Sequence, residues 1–251
     1  MARVVLLGTS AAVPTTDHAL TSVAVEGEGG FLLVDCGDNP VPRMPRAGLA
    51  PDHLQGLLLT HFHPDHAAGV PLLLVDLWLL GRQEPLRIFG PQDALDRLLA
   101  VMDLFRWGRW EGLYPVVPVT IEPQTGARVL EEIGLRVSAA PAEHVVPAIG
   151  FRFEALGTGR VAVYSGDTAP CPAFVELARG ADWLFHEATG GSPGHSSPAQ
   201  AGEVARQADA KRLVLIHYPP DPSRFGGWLA EARAAFGGPV QLGQDFQDFP
   251  L

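Results

Sequence analysis

Residues Leu57 to Gly69 read LLLTHFHPDHAAG, which places three histidines and one aspartate within six residues directly behind an apolar run. His61 and His63 are two apart, so on extended backbone both project to one side and can share a metal ion. Pro64 stiffens a turn, and Asp65 and His66 leave the next turn facing a second position. Imidazole and carboxylate suit zinc or a similar borderline divalent ion, with three or four protein ligands and a place left for water. Four residues cannot complete two such ions. The chain must add further histidines and a bridging carboxylate, and His144 in PAEHVVP, Asp167 in YSGDT and His217 in LIHYPP are the candidates. Isolated histidines such as His18 and His53 read as ordinary surface or hydrogen-bonded residues.

The elements that must hold these residues are short β-branched or apolar runs: RVVLLG, TSVAVE, FLLVDCG, GLLLTH, LRIFG, GLRVSAA, VAVYSGD, WLFHEA and RLVLIHY. Helical patterns lie between some of them, over Asp93 to Phe105 and over Pro198 to Asp209. The second has Ser197 at the N-cap and Pro198 as its first helical residue. Strands paired first as meanders and later alternating with helices predict an α/β protein of two sheets covered by helices. Polar residues gather at the C-terminal ends of the strands: Asp35 after FLLV, His61 after GLLLT, Asp167 after VAVYSG, His186 and Glu187 in WLFHE, and His217 after RLVLI. Strand ends are where a sheet holds side chains rigidly while loops leave space for a ligand. Core packing alone does not produce that arrangement.

With 251 residues, 47% of them hydrophobic, and a mean hydropathy of +0.12, the chain can bury a substantial core. The Pro/Gly-containing stretch from Leu113 to Gly126 looks too short for an interdomain linker, so residues 1–251 read as a single domain. Twenty-eight acidic against 18 basic residues give a net charge of −10, and Lys211 is the one lysine. That balance argues against broad nonspecific nucleic-acid binding and against an anionic membrane surface. The segment VPLLLVDLWLLG is too short to span a bilayer and contains Asp76. MARVVLLG reads as a first strand rather than a signal peptide. Cys36 and Cys171 stand far apart in no metal-binding spacing, which fits a reducing, cytoplasmic setting.

HFHPDH resembles the HxHxDH signature of the metallo-β-lactamase superfamily. LGTSAAVPT, DCGD, THFHPDHAAGVPLLL, EPLRIFGP, His144, YSGDT, FHEAT, GHSS and LIHY follow in the order seen in ribonuclease Z-like members, so the resemblance spans nearly the whole chain. It implies an αββα sandwich of two mixed sheets flanked by helices. It also implies a dinuclear centre in which His61, His63 and His144 bind one ion, Asp65, His66 and His217 the other, and Asp167 bridges them. Zinc is the expected metal, with manganese or iron as alternatives. His63, where flavodi-iron oxidoreductases carry Glu, favours hydrolysis. A carboxylate-bridged metal pair generates hydroxide by lowering the pKa of bound water from about 15.7 to about 7. By the same resemblance His195, in a Gly-rich loop and oriented by Glu187, assists the leaving oxygen, and Asp65 helps orient the attacking hydroxide. A homodimer is implied on the same ground alone.

Two departures separate the chain from ribonuclease Z. Near its first acidic strand that family reads GEGT, where this chain has DCGDNPVPR. Its tRNA-gripping arm lies between the third histidine motif and the GDT motif. Here His144 and Asp167 are only 23 residues apart, which leaves no room for an arm. The expected activity is therefore a phosphodiesterase for small or nucleotide phosphodiesters, with long nucleic acid disfavoured and no membrane partner. The alternatives are a ribonuclease Z-like RNA-processing nuclease and a metal-containing binding or cofactor-assembly protein with negligible turnover. The stretch FRWGRWEGLY, Phe105 to Tyr114, interleaves aromatics with Arg106 and Arg109. It fits either a base- or aryl-stacking surface touching a phosphate or a helix end packed on the core or a dimer partner.

Overall fold

Strand β1 (Arg3–Gly8) shows how the layers arise. Val4 and Leu6 face one way, Val5 and Leu7 the other, and all four are buried. A strand buried on both faces needs a layer on each side. In the computed structural model, which describes residues 2–251, Val4 and Leu6 join Phe151, Phe153, Val214 and Ile216 of the opposite sheet. Val5 and Leu7 join Leu73, Leu77, Leu98 and Met102 of two covering helices.

The first sheet runs β14 (Asp248–Pro250), β1, β2 (Ser22–Gly27), β3 (Gly30–Val34), β4 (Leu54–Leu58), β5 (Leu86–Gly90) and β6 (Val116–Thr120). Helices α2 (Val70–Leu79) and α3 (Gln92–Leu104) cover its outer face. The second sheet runs β13 (Val240–Leu242), β12 (Leu213–Ile216), β11 (Trp183–Glu187), β10 (Val161–Tyr164), β9 (Ala148–Ala155), β8 (Leu135–Ala142) and β7 (Ala127–Glu132). Its cover is α4 (Pro172–Ala178), α5 (Pro198–Gln207) and α6 (Pro222–Phe236). This is the expected αββα sandwich of two mixed sheets. A single-turn helix, α1 (Pro64–Ala67), lies between β4 and α2.

Strand direction gathers the polar ends. β3 to β6 are mutually parallel, as are β10 to β13. β8 pairs antiparallel with β9 and β9 with β10, so β8 points the same way as β10. The C-terminal ends of β3, β4, β8, β10, β11 and β12 all feed loops toward one edge of the sandwich.

Local rules decide the remaining elements. α5 starts where expected, with a complete capping box: Gln200 N–H donates to Ser197 Oγ at 3.2 Å and Ser197 N–H donates to Gln200 Oε1 at 2.8 Å. It stops at Gln207, two residues short of the expected end. α3 starts at Gln92, one residue earlier than its pattern suggests, and ends at Leu104. The Leu113 to Gly126 stretch contains β6, whose Pro118 is tolerated because β6 is the outermost strand. Phe151 is fully buried between the sheets. Phe151→Ala should lower unfolding free energy by about 3–5 kcal/mol in urea titrations, through lost burial and the cavity left behind.

Candidate metal centre

The loop after β3 shapes the loop after β4. Asp35 takes a left-handed φ of 57°, turning the chain sharply into Cys36, Gly37 and Asp38. Cys36 N–H then donates to the His66 carbonyl at 2.7 Å, and Gly69 N–H donates to the Cys36 carbonyl at 2.8 Å. A Cβ on Gly37 would overlap the Asp65 carbonyl oxygen, and one on Gly69 would overlap that of Asp38. Glycine is required at both because the two backbones touch. His63 remains extended at φ −102° and ψ 156°, Pro64 opens α1, and Asp65 and His66 ride on that single turn. The change from extended to helical backbone inside HFHPDH sends its two halves to different places.

Two groups of potential ligand atoms result: His61, His63, His144 and Asp167 in one, Asp65, His66 and His217 in the other. In the first, His63 Nδ1 lies 3.1 Å from His61 Nε2 and 3.2 Å from His144 Nε2. In the second, His217 Nε2 lies 3.2 Å from His66 Nε2 and 3.3 Å from Asp65 Oδ2. Ligand nitrogens bound tetrahedrally to zinc at about 2.0–2.1 Å sit about 3.3 Å from one another, so these pairs have the spacing of neighbouring ligands on one ion. Asp167 faces both. Its Oδ2 lies 3.8 Å from His61 Nε2 and 4.0 Å from His144 Nε2, and its Oδ1 lies 3.4 Å from His66 Nε2 and 3.3 Å from His217 Nδ1. Oδ1 is buried with no hydrogen-bond partner among the described residues. A divalent cation is the partner that suits such an atom. The residues present therefore fit metal ions.

Hydrogen bonds behind the rings decide which nitrogen each histidine offers. His66 Nδ1–H donates to Asp35 Oδ2 at 2.8 Å. Thr60 Oγ1 donates to Asp35 and so accepts from His61 Nδ1–H at 3.0 Å. Thr189 Oγ1 donates to the His217 carbonyl and accepts from His217 Nδ1–H at 2.8 Å. His144 Nδ1–H donates to the Gly194 carbonyl at 2.7 Å. In all four rings Nε2 is left bare toward the cluster. Partners of this kind fix the tautomer and orientation of ligand histidines. Asp35 serves two of them, accepts a further hydrogen bond from Tyr164 Oη at 2.9 Å, and is completely buried.

The electrostatics follow from burial and crowding. Burial, then the charge of His66, pushes His61 well below its usual pKa, and burial with His144 lowers His63. Burial opposes charge on His66 too, but the Asp167 and Asp35 carboxylates outweigh it and raise that pKa well above normal. Burial opposes ionisation of Asp167, yet His217 and His66 hold it well below the carboxylate range. Asp65 is likewise lowered, its burial outweighed by the hydrogen bond to His217 and the charge of His66.

The fold also brings His195 and Glu187 to this edge. Glu187 is buried at the end of β11, where its Oε1 accepts from Ser196 N–H at 2.9 Å and its Oε2 from Thr189 N–H at 2.8 Å. His195 Nδ1–H donates to Glu187 Oε1 at 3.1 Å, leaving Nε2 free on a ring that is 19% exposed. His195 Nδ1 is also 3.8 Å from Asp167 Oδ2, and the His195 and His144 ring centres are 4.9 Å apart. Chiefly through the Glu187 hydrogen bond, the pKa of His195 is raised.

All nine sequence-predicted site residues thus lie together. The roles of the residues behind them were not foreseen: Thr60, Tyr164, Thr189 and Gly194 lie inside THFHPDH, YSGDT, FHEAT and GHSS without any of those motifs giving them a task, and Asp35 stood out only as a polar strand end and as the first residue of DCGD.

Residues 31–218 match the family model of a beta-lactamase superfamily domain. The chain belongs to the metallo-β-lactamase superfamily. It is 35% identical to ribonuclease Z of Mycobacterium sp. (strain KMS), the match covering 98% of this chain and 94% of that protein. Ribonuclease Z of Methanothermobacter thermautotrophicus (strain Delta H) is 31% identical, over 94% of this chain and 92% of its own. Among solved structures, the short form of human tRNase Z superposes with a TM-score of 0.80 at 27% identity, over 98% of each chain. This superfamily member is of the ribonuclease Z-like branch and is a metal-dependent hydrolase. Between His144 and Asp167 it lacks an arm: β9 and β10 pair antiparallel across a tight hairpin closed by Ala155 N–H donating to the Arg160 carbonyl at 2.9 Å.

Asp35→Ala strips His66 and Thr60 of their shared acceptor. Affinity for the ion held by His66 should fall about 10–100-fold in chelator competition, with circular dichroism unchanged. Undiminished affinity would remove Asp35 from the orienting role.

Proposed function

We propose that residues 1–251 form one dinuclear metal-dependent phosphodiesterase acting on small or nucleotide phosphodiesters. The observation that carries this reading is the carboxylate of Asp167 lying between two histidine groups, with His195 and its Glu187 partner beside them. In this reading His61, His63 and His144 hold one ion, Asp65, His66 and His217 the other, and Asp167 bridges; the all-nitrogen-and-oxygen donor set favours zinc. Divalent ions bound there supply Lewis acidity and a water acidic enough to lose its proton near neutral pH.

The chain's own residues do the rest. Asp65, ionised and turned toward His217, aligns the attacking water through its carboxylate. His195 keeps its Nδ1 proton on Glu187 and offers Nε2 to the departing ester oxygen. Its raised pKa keeps a proton available for that transfer. Buried Glu187, braced by backbone N–H groups, prevents the ring from turning away. The short hairpin where ribonuclease Z carries an arm supports a small substrate. Two unpaired cysteines suit a cytoplasmic setting, and among the described residues no helix is long and apolar enough to cross a membrane.

A second reading, processing of RNA ends, is supported by the names of the curated relatives, ribonuclease Z at 31% and 35% identity. The two separate on substrate. Metal-loaded protein should hydrolyse bis(p-nitrophenyl) phosphate and cyclic or short nucleotide diesters with higher kcat/KM than a tRNA precursor; the reverse order selects the nuclease. His195→Ala should retain its metal and lose about 10²–10⁴-fold in kcat. An unchanged rate at unchanged metal content would return His195 to an ordinary loop residue. Asp167→Ala should lose bound metal altogether, read by elemental analysis after gel filtration.

A further inference from the structure

Next to the histidine cluster the surface opens into a cleft of about 630 Å³. Phe62, Leu72, Val75, Val101, Phe105 and Trp110 are among the side chains that line it. His63 is part of its wall, so the cleft and the candidate metal centre share a side chain. Leu72 and Phe105 are 53% and 55% exposed, a large apolar area left to water. Trp110 is held in place by parallel stacking on Trp78, with ring centres 5.8 Å apart and planes 3° from coplanar. Apart from the ring nitrogens of His63 and Trp110, the side chains lining the cleft are hydrocarbon. FRWGRWEGLY thus supplies two aromatic walls of a depression that leads to the reacting end of the protein.

We infer that this cleft receives one ester arm of the substrate, and that the arm is hydrocarbon, an alkyl or aryl chain. The inference rests on the phosphodiesterase reading and names its substrate class. A volume of this size suits a small-molecule arm. A nucleobase placed here would bury N–H and C=O groups without partners, which costs more than its stacking returns. A hydrocarbon arm buries only what the cleft also needs to bury. Continuity with His63 argues for substrate over a separate partner, since a phosphate held at the histidine cluster would have this cleft within reach of one ester group. His195 does not line it. The ester group that departs therefore leaves on the His195 side, and the group in the cleft is the one retained.

The test compares octyl p-nitrophenyl phosphate with methyl p-nitrophenyl phosphate on the metal-loaded full chain. Burial is worth roughly fourfold per methylene, so the octyl diester should be favoured in kcat/KM by on the order of 50-fold or more. Val101→Trp fills the cleft and should reduce that preference to under about fivefold while sparing the methyl diester. Phe105→Ala, at the exposed rim, provides a second variant with little risk to folding and should weaken the preference in the same direction. Equal rates for the two diesters, or a preference untouched by both variants, would overturn the inference. Turnover of neither diester would count against the phosphodiesterase reading itself. Calorimetric titration with octyl methylphosphonate, which needs no turnover, then decides the cleft. Binding that exceeds that of methyl methylphosphonate and weakens at least about tenfold in Val101→Trp supports it, and no difference overturns it. A dimer that Val101→Trp dissociates in sedimentation would show that a second copy covers the cleft, which also overturns it.

Discussion

Bare ring nitrogens at 3.1 to 3.2 Å from one another repel unless a cation lies between them, and this site holds several such pairs beside a buried carboxylate. The Asp65 and Asp167 carboxylates offset part of that repulsion by attracting His66 and His217. The geometry has to be imposed from outside, by elements rigid enough to bear the repulsion. Two seven-stranded sheets provide that frame, since their parallel runs deliver Asp35, His61, Asp167, Glu187 and His217 from adjacent strand ends. The Asp35 carboxylate then ties the frame to the rings, holding His66 directly and His61 through Thr60. Crowding that is costly without an ion becomes preorganisation when one is bound.

Seen this way, DCGD and HFHPDH are one structural unit. The first turns at Asp35, touches the second at Gly37, and bonds to the backbone of His66 through Cys36. The loop carrying Gly194 does similar work on the other side, with its carbonyl on His144 and its neighbour His195 on Glu187. One loop therefore both orients a candidate ligand and presents a candidate proton donor. A substitution there that shifts the backbone would disturb metal affinity and proton transfer together, whereas a side-chain change at His195 separates them.

Much of this was legible in the chain because the chemistry needs rare residue types at fixed spacings. HFHPDH, the strand-end polar residues, and the short interval between His144 and Asp167 could be read directly, and the resemblance they carry supplied the grouping of ligands. Helix α5 was legible from its cap. Strands β7, β9, β13 and β14 were not singled out: β13 and β14 have three residues each, too few for a period to show, and β7 interleaves charged residues with its apolar ones. β6 was hidden by Pro118, which only its edge position excuses. The supporting polar atoms were illegible for another reason. Thr60, Tyr164, Thr189 and a glycine carbonyl are ordinary residues until the fold places them, and a tautomer is decided by a neighbour that lies far away in sequence.

The most direct measurement is anomalous diffraction at the zinc edge from crystals of the metal-loaded chain. Two peaks are expected, one among His61, His63 and His144 and one among Asp65, His66 and His217, with the Asp167 carboxylate between them. A single peak, or metal bound away from these residues, would contradict the two-ion centre on which the proposed chemistry rests.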